Sequence, residues 1–221
     1  MSSTDNDYSL REKKSAKTKI ALARAFVERL KTTRFADISI KEVCESVEVS
    51  EGTFFNYFPQ KIDIVFYYKT IIGLKITWDV IQAGQDAKPL QVIERIFDLI
   101  AESIEHPYLF YEFISIFTAE KQKPKQMELT PPEKKYAYPD LPGIEEVPVV
   151  AVEETFITLV GAAQADGQIE RGITPDEILM TLMTILIGTP LAIDIDNFSS
   201  LSKEFRKQLS LLWKAIGGIK R

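Results

Sequence analysis

Two short helical patterns separated by a brief turn constrain this chain more than any other part of its sequence. Both lie within residues 39–61, which read SIKEVCESVEVSEGTFFNYFPQK. Ser39 and Glu42 have the spacing of a capping box, in which the serine hydroxyl accepts from a first-turn amide and the glutamate side chain reaches back to the capping residue. We therefore predict that a helix begins at Ser39. Its apolar face consists of Ile40, Val43, Cys44 and Val47.

A second helix follows after about three non-helical residues. Ser50 has the position of its N-cap, and the helix is predicted to begin at Glu51. It ends before Pro59, because proline disfavours helical geometry in the residue that precedes it. Two short helices joined in this way form a helix-turn-helix, which places its second helix in the major groove of DNA. Its predicted buried face is aromatic: Phe54, Phe55, Tyr57 and Phe58.

An earlier amphipathic segment completes a three-helix bundle. Residues 15–31 have inward apolar positions at Ile20, Ala23, Phe26, Val27 and Leu30. We predict an all-α fold, in which this bundle is followed by a larger helical domain for ligand binding and dimerisation. The predicted boundaries are a flexible tail at 1–14, the helix-turn-helix domain at 15–61 and the larger domain at 62–221.

The charge distribution favours DNA binding by the bundle. The whole chain has a net charge of −5, but residues 11–41 contain ten basic and three acidic side chains. At physiological ionic strength salt screens interactions between charges more than about 8 Å apart. A local positive surface is therefore sufficient to attract phosphate, although the rest of the chain is acidic. A solvated basic helix face is the ordinary interpretation of such a run. Beside a helix-turn-helix, phosphate binding becomes the better interpretation.

Residues 18–65 resemble the N-terminal DNA-binding domain of the TetR family of transcriptional regulators. The family pattern Val-Ser-x-Gly-Thr-aliphatic-Tyr-x-aromatic-Phe-x-x-Lys aligns with residues 49–61 of this chain, VSEGTFFNYFPQK. Glu48 replaces the glycine and Phe55 replaces the tyrosine that the family usually has. If position 48 is left-handed, glutamate there costs about 1 kcal/mol more than glycine. The resemblance implies a regulator, most often a repressor, that is displaced from DNA when an effector binds.

Side-chain chemistry assigns two kinds of contact to the predicted recognition surface. Small or rigid donors suit phosphate, and Asn56, Glu51 and either Thr53 or Phe54 suit base edges or a thymine methyl group. Glu51 has an alternative role as a favourable charge at a helix N-terminus. The complete predicted DNA-binding set is Lys17, Lys19, Ser39, Ser50, Glu51, Gly52, Thr53, Phe54, Asn56, Tyr57 and Lys61.

The larger domain is predicted to contain further helices and one long loop. Helices are expected at 60–83, 90–104 and 108–119, and again from Val149 to near Gly167. Residues 120–148 include six prolines and show little apolar periodicity. We predict a loop there, as a disordered or surface segment or, alternatively, a lid over a ligand.

The last two helices are predicted to form a dimer interface. Thr174-Pro175-Asp176-Glu177 is a capping box with proline at the first helical position, and the helix that it opens is apolar nearly all round. A helix of that kind has to be covered on every side, by a second copy or by the core of the monomer. A two-fold dimer implies a palindromic operator. The predicted interface residues are Ile178, Leu182, Ile185, Leu186, Phe205, Leu209, Leu212 and Trp213.

A small apolar or aromatic effector is the predicted signal. Aromatic and thioether side chains recur at helical spacing in the larger domain, and such side chains are found in ligand pockets, although more often in cores. The candidate ligand-binding residues are Phe66, Trp78, Phe97, His106, Tyr111, Phe156 and Met183. The alternative is a DNA-binding protein without a small effector, one that answers to a protein partner or organises DNA.

Composition argues against other classes of protein. The chain has one histidine and one cysteine, too few for a usual zinc site, and no motif for a phosphate-binding loop or an activated nucleophile. We expect no enzymatic activity, metal or cofactor. No apolar run approaches the roughly 20 uncharged residues that cross a bilayer, and residues 1–7 are not a secretory signal. Cys44 alone allows no intrachain disulfide, which suits the cytoplasm.

Overall fold

The computed structural model describes residues 8–84, 87–104, 106–119, 127–170 and 172–217, and all regular structure within these ranges is helical. The predicted all-α fold is confirmed. The described helices are α1 (Leu10–Leu30), α2 (Ile40–Ser46), α3 (Glu51–Tyr57), α4 (Asp63–Ala83), α5 (Pro89–Ser103), α6 (Pro107–Ala119), α7 (Pro131–Ala137), α8 (Val152–Ala165), α9 (Pro175–Ala192) and α10 (Leu201–Ala215). Short 3-10 turns occupy Phe35–Asp37, Ile144–Glu146 and Ile195–Ser200.

The chain divides into two compact units. The first unit contains residues 1–75 and 115–149, and the second contains 76–114 and 150–221. The predicted boundary after Lys61 differs from this division, because the N-terminal part of α4 packs with the bundle and residues 115–149 return to it. We call the first unit the head and the second unit the body.

The first helix of the head begins earlier than predicted. Ser9 accepts from the amide of Glu12, whose carboxylate in turn accepts from the amide of Ser9, and this capping box starts α1 at Leu10. The predicted helix start at Ser15 was chosen from the first apolar positions of the pattern. It missed the Ser9 cap because the first turn after that cap is mostly polar. Residues 10–14 are therefore helical and not a tail, while residues 1–7 lie outside the described part of the chain.

Aromatic side chains form much of the core of the head. Phe54 and Phe58 of the helix-turn-helix are fully buried, with ring centroids 5.5 Å apart. Phe58 also packs edge-on against Tyr67 of α4, at 5.3 Å. Each pair adds about 0.5–1.5 kcal/mol beyond the area that it buries. These contacts fix α3 against the N-terminal half of α4.

The predicted loop at 120–148 contains a helix. Residues 120–126 lie outside the described ranges, but α7 and the 3-10 turn at 144–146 occupy much of the remainder. Thr130 and Glu133 form a capping box, and Pro131 and Pro132 occupy the first helical positions. Proline is well tolerated there because the amide that it lacks has no partner within the helix. The number of prolines made this segment resemble a loop. Two of them instead occupy the first positions of a helix.

Helices α5, α8, α9 and α10 pack together in the body. The ring of Phe97 lies between Phe156, at 5.5 Å, and Phe205, at 5.0 Å. Polar contacts also join α5 to α10. Trp213 donates from its indole nitrogen to Glu94 at 3.0 Å, and Arg206 donates to both oxygens of Asp98.

Candidate nucleic-acid interface

The turn between α2 and α3 requires a left-handed residue. Glu48 has φ of 57°, the one positive φ among the described residues other than glycine. The amide of Val49 then donates to the carbonyl of Cys44 at 3.0 Å and closes the end of α2. The position that the family resemblance associates with glycine is therefore left-handed here, and the glutamate bears the steric cost of that conformation.

Serine caps begin both helices of the motif as predicted, but Ser39 forms only the serine half of the predicted capping box. Ser39 accepts from the amide of Glu42 at 3.3 Å, and Ser50 accepts from the amide of Thr53 at 3.1 Å. The two hydroxyls of Ser50 and Thr53 also lie 3.0 Å apart and share a hydrogen bond. That bond uses one of the two hydroxyl protons, so the other hydroxyl remains free to donate to a phosphate at the N-terminus of α3.

The exposed face of α3 contains small, polar and aromatic side chains. Glu51, Gly52 and Asn56 are exposed, while Thr53 and Tyr57 are half-buried. No described side chain other than that of Ser50 lies within 4 Å of a Cβ built on Gly52, so a backbone could approach closely at this position. The predicted base and phosphate contacts therefore lie along one accessible surface, with one exception.

Phe54 is the exception, and Phe55 takes its place on the surface. Phe54 is 0% exposed and cannot touch a thymine methyl group, whereas Phe55, which was predicted to be buried, is 46% exposed. The three aromatic residues of α3 and its C-cap Phe58 cannot all face one core, because each helical position advances by about 100°. The sequence alone could not identify which of the two neighbouring phenylalanines faces outward.

Lys61 makes contacts with other residues of the head. Its ammonium nitrogen Nζ donates to the backbone carbonyl of Ala36 at 3.1 Å and lies 4.9 Å from the centroid of the Phe35 ring. Burial lowers the pKa of this lysine, although Asp37 opposes that effect. Lys61, two residues before α4, is thus joined to the segment after α1, and its predicted contact with phosphate stays a prediction.

The two lysines predicted on α1 have different environments. Lys17 is exposed and available to a phosphate. Lys19 pairs with the buried carboxylate of Glu133, and its side chain is only 16% exposed. Lys19 therefore has a partner within the protein, and its contact with DNA stays a prediction. Helix periodicity places residue 19 within the buried arc of α1, a signal that the count of basic residues ignored.

The overall architecture is shared with known transcription regulators. Thermus thermophilus FadR, a TetR-family repressor whose structure was solved in complex with lauroyl-CoA, is 19% identical, with a TM-score of 0.59 over 92% of this chain and 96% of that one. A protein from Rhodococcus sp. assigned to the TetR family is 15% identical, with a TM-score of 0.56 and coverage of 90% and 96%. A transcriptional regulator from Cytophaga hutchinsonii is 12% identical, with a TM-score of 0.53 and coverage of 88% and 96%. The chain has the fold of the TetR-family regulators.

No protein-family model matches the chain, and no curated protein matches it in sequence. The TetR fold is therefore retained here at sequence identities below 20% in all three of the structures named above.

The predicted ligand-binding residues lie in different environments. Within the TetR fold of this chain, Phe97 and Phe156 are fully buried in contact with each other, so they belong to the core of the body. His106 is exposed, and its Nδ1 accepts from the amide of Tyr108 at the start of α6. Phe66 lies in the head and stacks on Phe117. The other three candidates, Trp78, Tyr111 and Met183, are half-buried in the body.

Two concave regions of the body are lined by other residues. A cavity of about 200 Å³ lies between the end of α4 and α5, with Val80, Val92 and Ile96 among its lining residues. A shallow groove of about 680 Å³ follows α10 past Lys203, Arg206 and Lys214. Neither contains a predicted ligand residue. The first is smaller than the roughly 300–1,000 Å³ of most small-molecule sites.

Most of the predicted dimer interface is monomer core. Five of its members are buried within the body: Ile178, Leu182, Phe205, Leu209 and Trp213. Ile185, Leu186 and Leu212 are half-buried. Because α9 is apolar nearly all round, its periodicity could not show which side the monomer covers. The interpretation of these five residues as interface is corrected, whereas α9 itself still has an uncovered side.

That uncovered side is an apolar stripe. Met180, Ile187 and Leu191 are exposed on one face of α9, and Leu211 is exposed on α10. By length and composition α9 is also the single helix of the described ranges that could cross a membrane, with a mean hydropathy of 1.2 and 22% of its residues buried. Exposed apolar side chains that share one helix face are typical of an interaction surface.

Proposed function

We propose that this protein is a sequence-specific DNA-binding transcription regulator that acts as a dimer on a palindromic operator. The observation that carries this proposal is the exposed face of α3, which Ser50 caps and which presents Glu51, Gly52, Phe55 and Asn56 together. Phosphate contacts from the helix N-terminus and from basic side chains of α1 would set the register. Side chains on this face would then read base edges in the major groove.

The dimer part of the proposal uses the uncovered stripe of α9. Met180, Ile187 and Leu191 would pack against the same residues of a second copy across a two-fold axis, with Leu211 at the side. An isologous contact of this type needs only one self-complementary patch. Two heads related by a two-fold axis would bind two inverted half-sites, which is why we propose a palindrome.

The effector part of the proposal is supported by the fold. FadR from Thermus thermophilus has the same fold and is described in complex with lauroyl-CoA, so a helical body of this kind can hold an apolar chain. We propose an apolar or aromatic effector that binds one conformation of the body and thereby lowers DNA affinity. Such an effect requires that the ligand bind the two conformations with different affinities.

Selection of DNA from a random duplex library tests the proposal. Purified protein would be incubated with the library at about 150 mM salt, where non-specific phosphate binding is weak, and the surviving duplexes sequenced. Enrichment of one palindrome is expected. Asn56→Ala is expected to relax the preference at one position of each half-site. A folded dimer that enriches no sequence would overturn the proposal. Once an operator is selected, lauroyl-CoA would be the first compound tested for an effect on DNA affinity.

A further inference from the structure

The segment 127–149, which we call the strap, is the part of the head that follows α6 in the sequence, and it packs on the N-terminal bundle. Its helix α7 contacts α1, and its 3-10 turn packs against α7. The strap therefore adds a contact surface to the bundle that a simple helix-turn-helix domain lacks. What this surface does for the head follows from its polar contacts.

Glu133 lies at the centre of these contacts. The residue is 2% exposed, and one carboxylate oxygen accepts from the amide of Thr130 at 2.7 Å. The other oxygen pairs with Lys19 of α1, whose ammonium nitrogen also lies 4.7 Å from the centroid of the Tyr67 ring. Burial raises the pKa of Tyr67, and the nearby Glu133 carboxylate raises it further, so this side chain stays a neutral phenol. The ion pair thus joins α7 to α1, and its ammonium group lies against Tyr67 of α4.

Three further hydrogen bonds fix the rest of the strap. Arg24 of α1 donates to the carbonyl of Ala137 at 2.7 Å, and so satisfies one of the free carbonyls at the end of α7. Tyr138 donates from its hydroxyl to the carbonyl of Ile71 of α4 at 3.2 Å. Lys134 donates to the carbonyl of Val147 at 2.7 Å, which joins α7 to the C-terminal part of the strap.

The same helix α1 also holds the DNA-reading motif. Arg29 of α1 donates to the carbonyl of Glu42 in α2 at 3.0 Å, and the core side chains of α1 pack beneath α2. A continuous set of contacts therefore runs from Glu133 through Lys19 and α1 to α2. Since Lys19 is committed to Glu133, it contributes to the geometry of the head and not to its free positive charge.

We propose that Glu133 is a positioning residue for DNA recognition, which acts through Lys19 to hold α1 and α4 where the helix-turn-helix requires them. This inference rests on the proposed function. It predicts that breaking the Lys19–Glu133 pair weakens operator binding without removing a phosphate contact. A direct contact would behave differently, because each lost phosphate contact lowers the slope of log affinity against log salt by about 0.9.

The experiment measures operator affinity by fluorescence anisotropy across a series of salt concentrations, for full-length variants on the selected duplex. Glu133→Gln and Lys19→Met are each expected to weaken binding about tenfold, because each leaves the other buried group without its partner. The salt slope should match that of the wild type. The double variant Lys19→Met/Glu133→Gln should bind more tightly than the product of the two single losses implies, since the residues act as a pair.

Two lysine controls accompany these variants. Lys135→Met removes an exposed lysine from the same helix α7 and should leave both affinity and slope unchanged. Lys17→Met removes an exposed lysine from α1 and should lower both, the slope by about 1 for each lost contact. Hydrogen exchange of the α3 amides checks that the motif remains folded, and the double variant keeps the comparison valid if a single variant unfolds.

Several results would overturn the inference. Wild-type affinity in both single variants, or strictly additive losses in the double variant, would show that the pair does not position the head. A lower salt slope for Lys19→Met would make Lys19 a direct phosphate contact. Tighter binding would mean that the strap opposes DNA recognition. If the wild type enriches no operator, the proposed function itself fails at that earlier step, which separates the two failures.

Discussion

Lys61, two residues before α4, donates a hydrogen bond to the backbone carbonyl of Ala36, and this bond ties the end of the helix-turn-helix to the loop that precedes it. The ammonium group also lies over the ring of Phe35, an arrangement that is favourable for a cation. A lysine that a sequence pattern associates with DNA therefore has a structural partner within the same head.

Lys61→Met should lower the free energy of unfolding of the head. It removes a charged hydrogen bond and a cation–ring contact, together worth about 2 kcal/mol. Hydrogen exchange of the α2 and α3 amides in the native state measures the change. Lys17→Met is the matched control, since Lys17 is exposed and its loss should leave exchange unaltered. Equal exchange in Lys61→Met and the wild type would contradict the structural role.

Phe54→Ala and Phe55→Ala should separate stability from recognition. Phe54 is fully buried, so its truncation should cost about 3–5 kcal/mol in the free energy of unfolding. Phe55 is 46% exposed, so its truncation should cost less than about 1 kcal/mol while weakening operator binding. Urea unfolding and anisotropy on the selected duplex measure the two effects. The reverse assignment of losses would show that Phe55 faces the core.

Glu48→Gly should stabilise the head. Relief of the left-handed strain is worth about 1–2 kcal/mol and the extra chain entropy of glycine costs about 0.5–1, which leaves a gain of roughly 0.5–1 kcal/mol. Chemical denaturation measures it. Glu48→Ala is the control, because alanine keeps the Cβ atom and should give no gain. A gain of the same size in both variants would assign the effect to the lost charge.

Asp98 should make the stability of the body depend on acid. Burial by itself raises the pKa of this carboxyl, but hydrogen bonds from Arg206 and Ser202 outweigh burial and hold the pKa below its ordinary value. A lowered folded pKa gives stability that is complete above about pH 4, the ordinary range of aspartate, and that disappears as the pH falls through the folded value.

Urea unfolding between neutral and acidic pH, followed by the fluorescence of Trp78 and Trp213 in the body, measures this dependence. Asp98→Asn should be less stable than the wild type at pH 7, and the difference should vanish in acid. Asp196→Asn, at an exposed position, should follow the wild type. A constant difference between Asp98→Asn and the wild type at every pH would contradict the assignment.

Ile187→Asp should convert the proposed dimer into a monomer. A charge at the centre of the apolar stripe would be buried without a partner in a two-fold contact, at a cost of several kcal/mol. Sedimentation velocity measures the oligomeric state. Gln91→Asp places the same charge on the exposed face of α5 and should leave the dimer intact. A dimer that survives Ile187→Asp would place the interface elsewhere.

Much of the fold could be predicted because its helices are marked by local chemistry. The Ser39, Ser50 and Thr174 caps fixed three helix starts correctly, since a cap needs only residues within one turn. Thr130-Pro131-Pro132-Glu133 has nearly the same pattern as Thr174-Pro175-Asp176-Glu177, and α7 could have been predicted from it. The proline count of the surrounding segment was the misleading signal.

The faces of the helices were harder to predict than the helices themselves. Lys19 and Lys17 are chemically identical and two residues apart, yet only Lys19 meets a buried carboxylate more than a hundred positions later in the chain. Which of Phe54 and Phe55 faces inward, and which side of α9 the monomer covers, likewise depends on tertiary packing. Local spacing carries no information about such distant partners.

The strap also has a consequence for how the protein folds during synthesis. Lys19 and Arg24 emerge from the ribosome long before Glu133 and Ala137, and the Arg24–Ala137 hydrogen bond joins residues 113 positions apart. Chains are made at about 5–20 residues per second, so the N-terminal bundle waits for several seconds with one face uncovered. A head released early, as a fragment of residues 1–75, would expose the side of α1 that the complete chain covers.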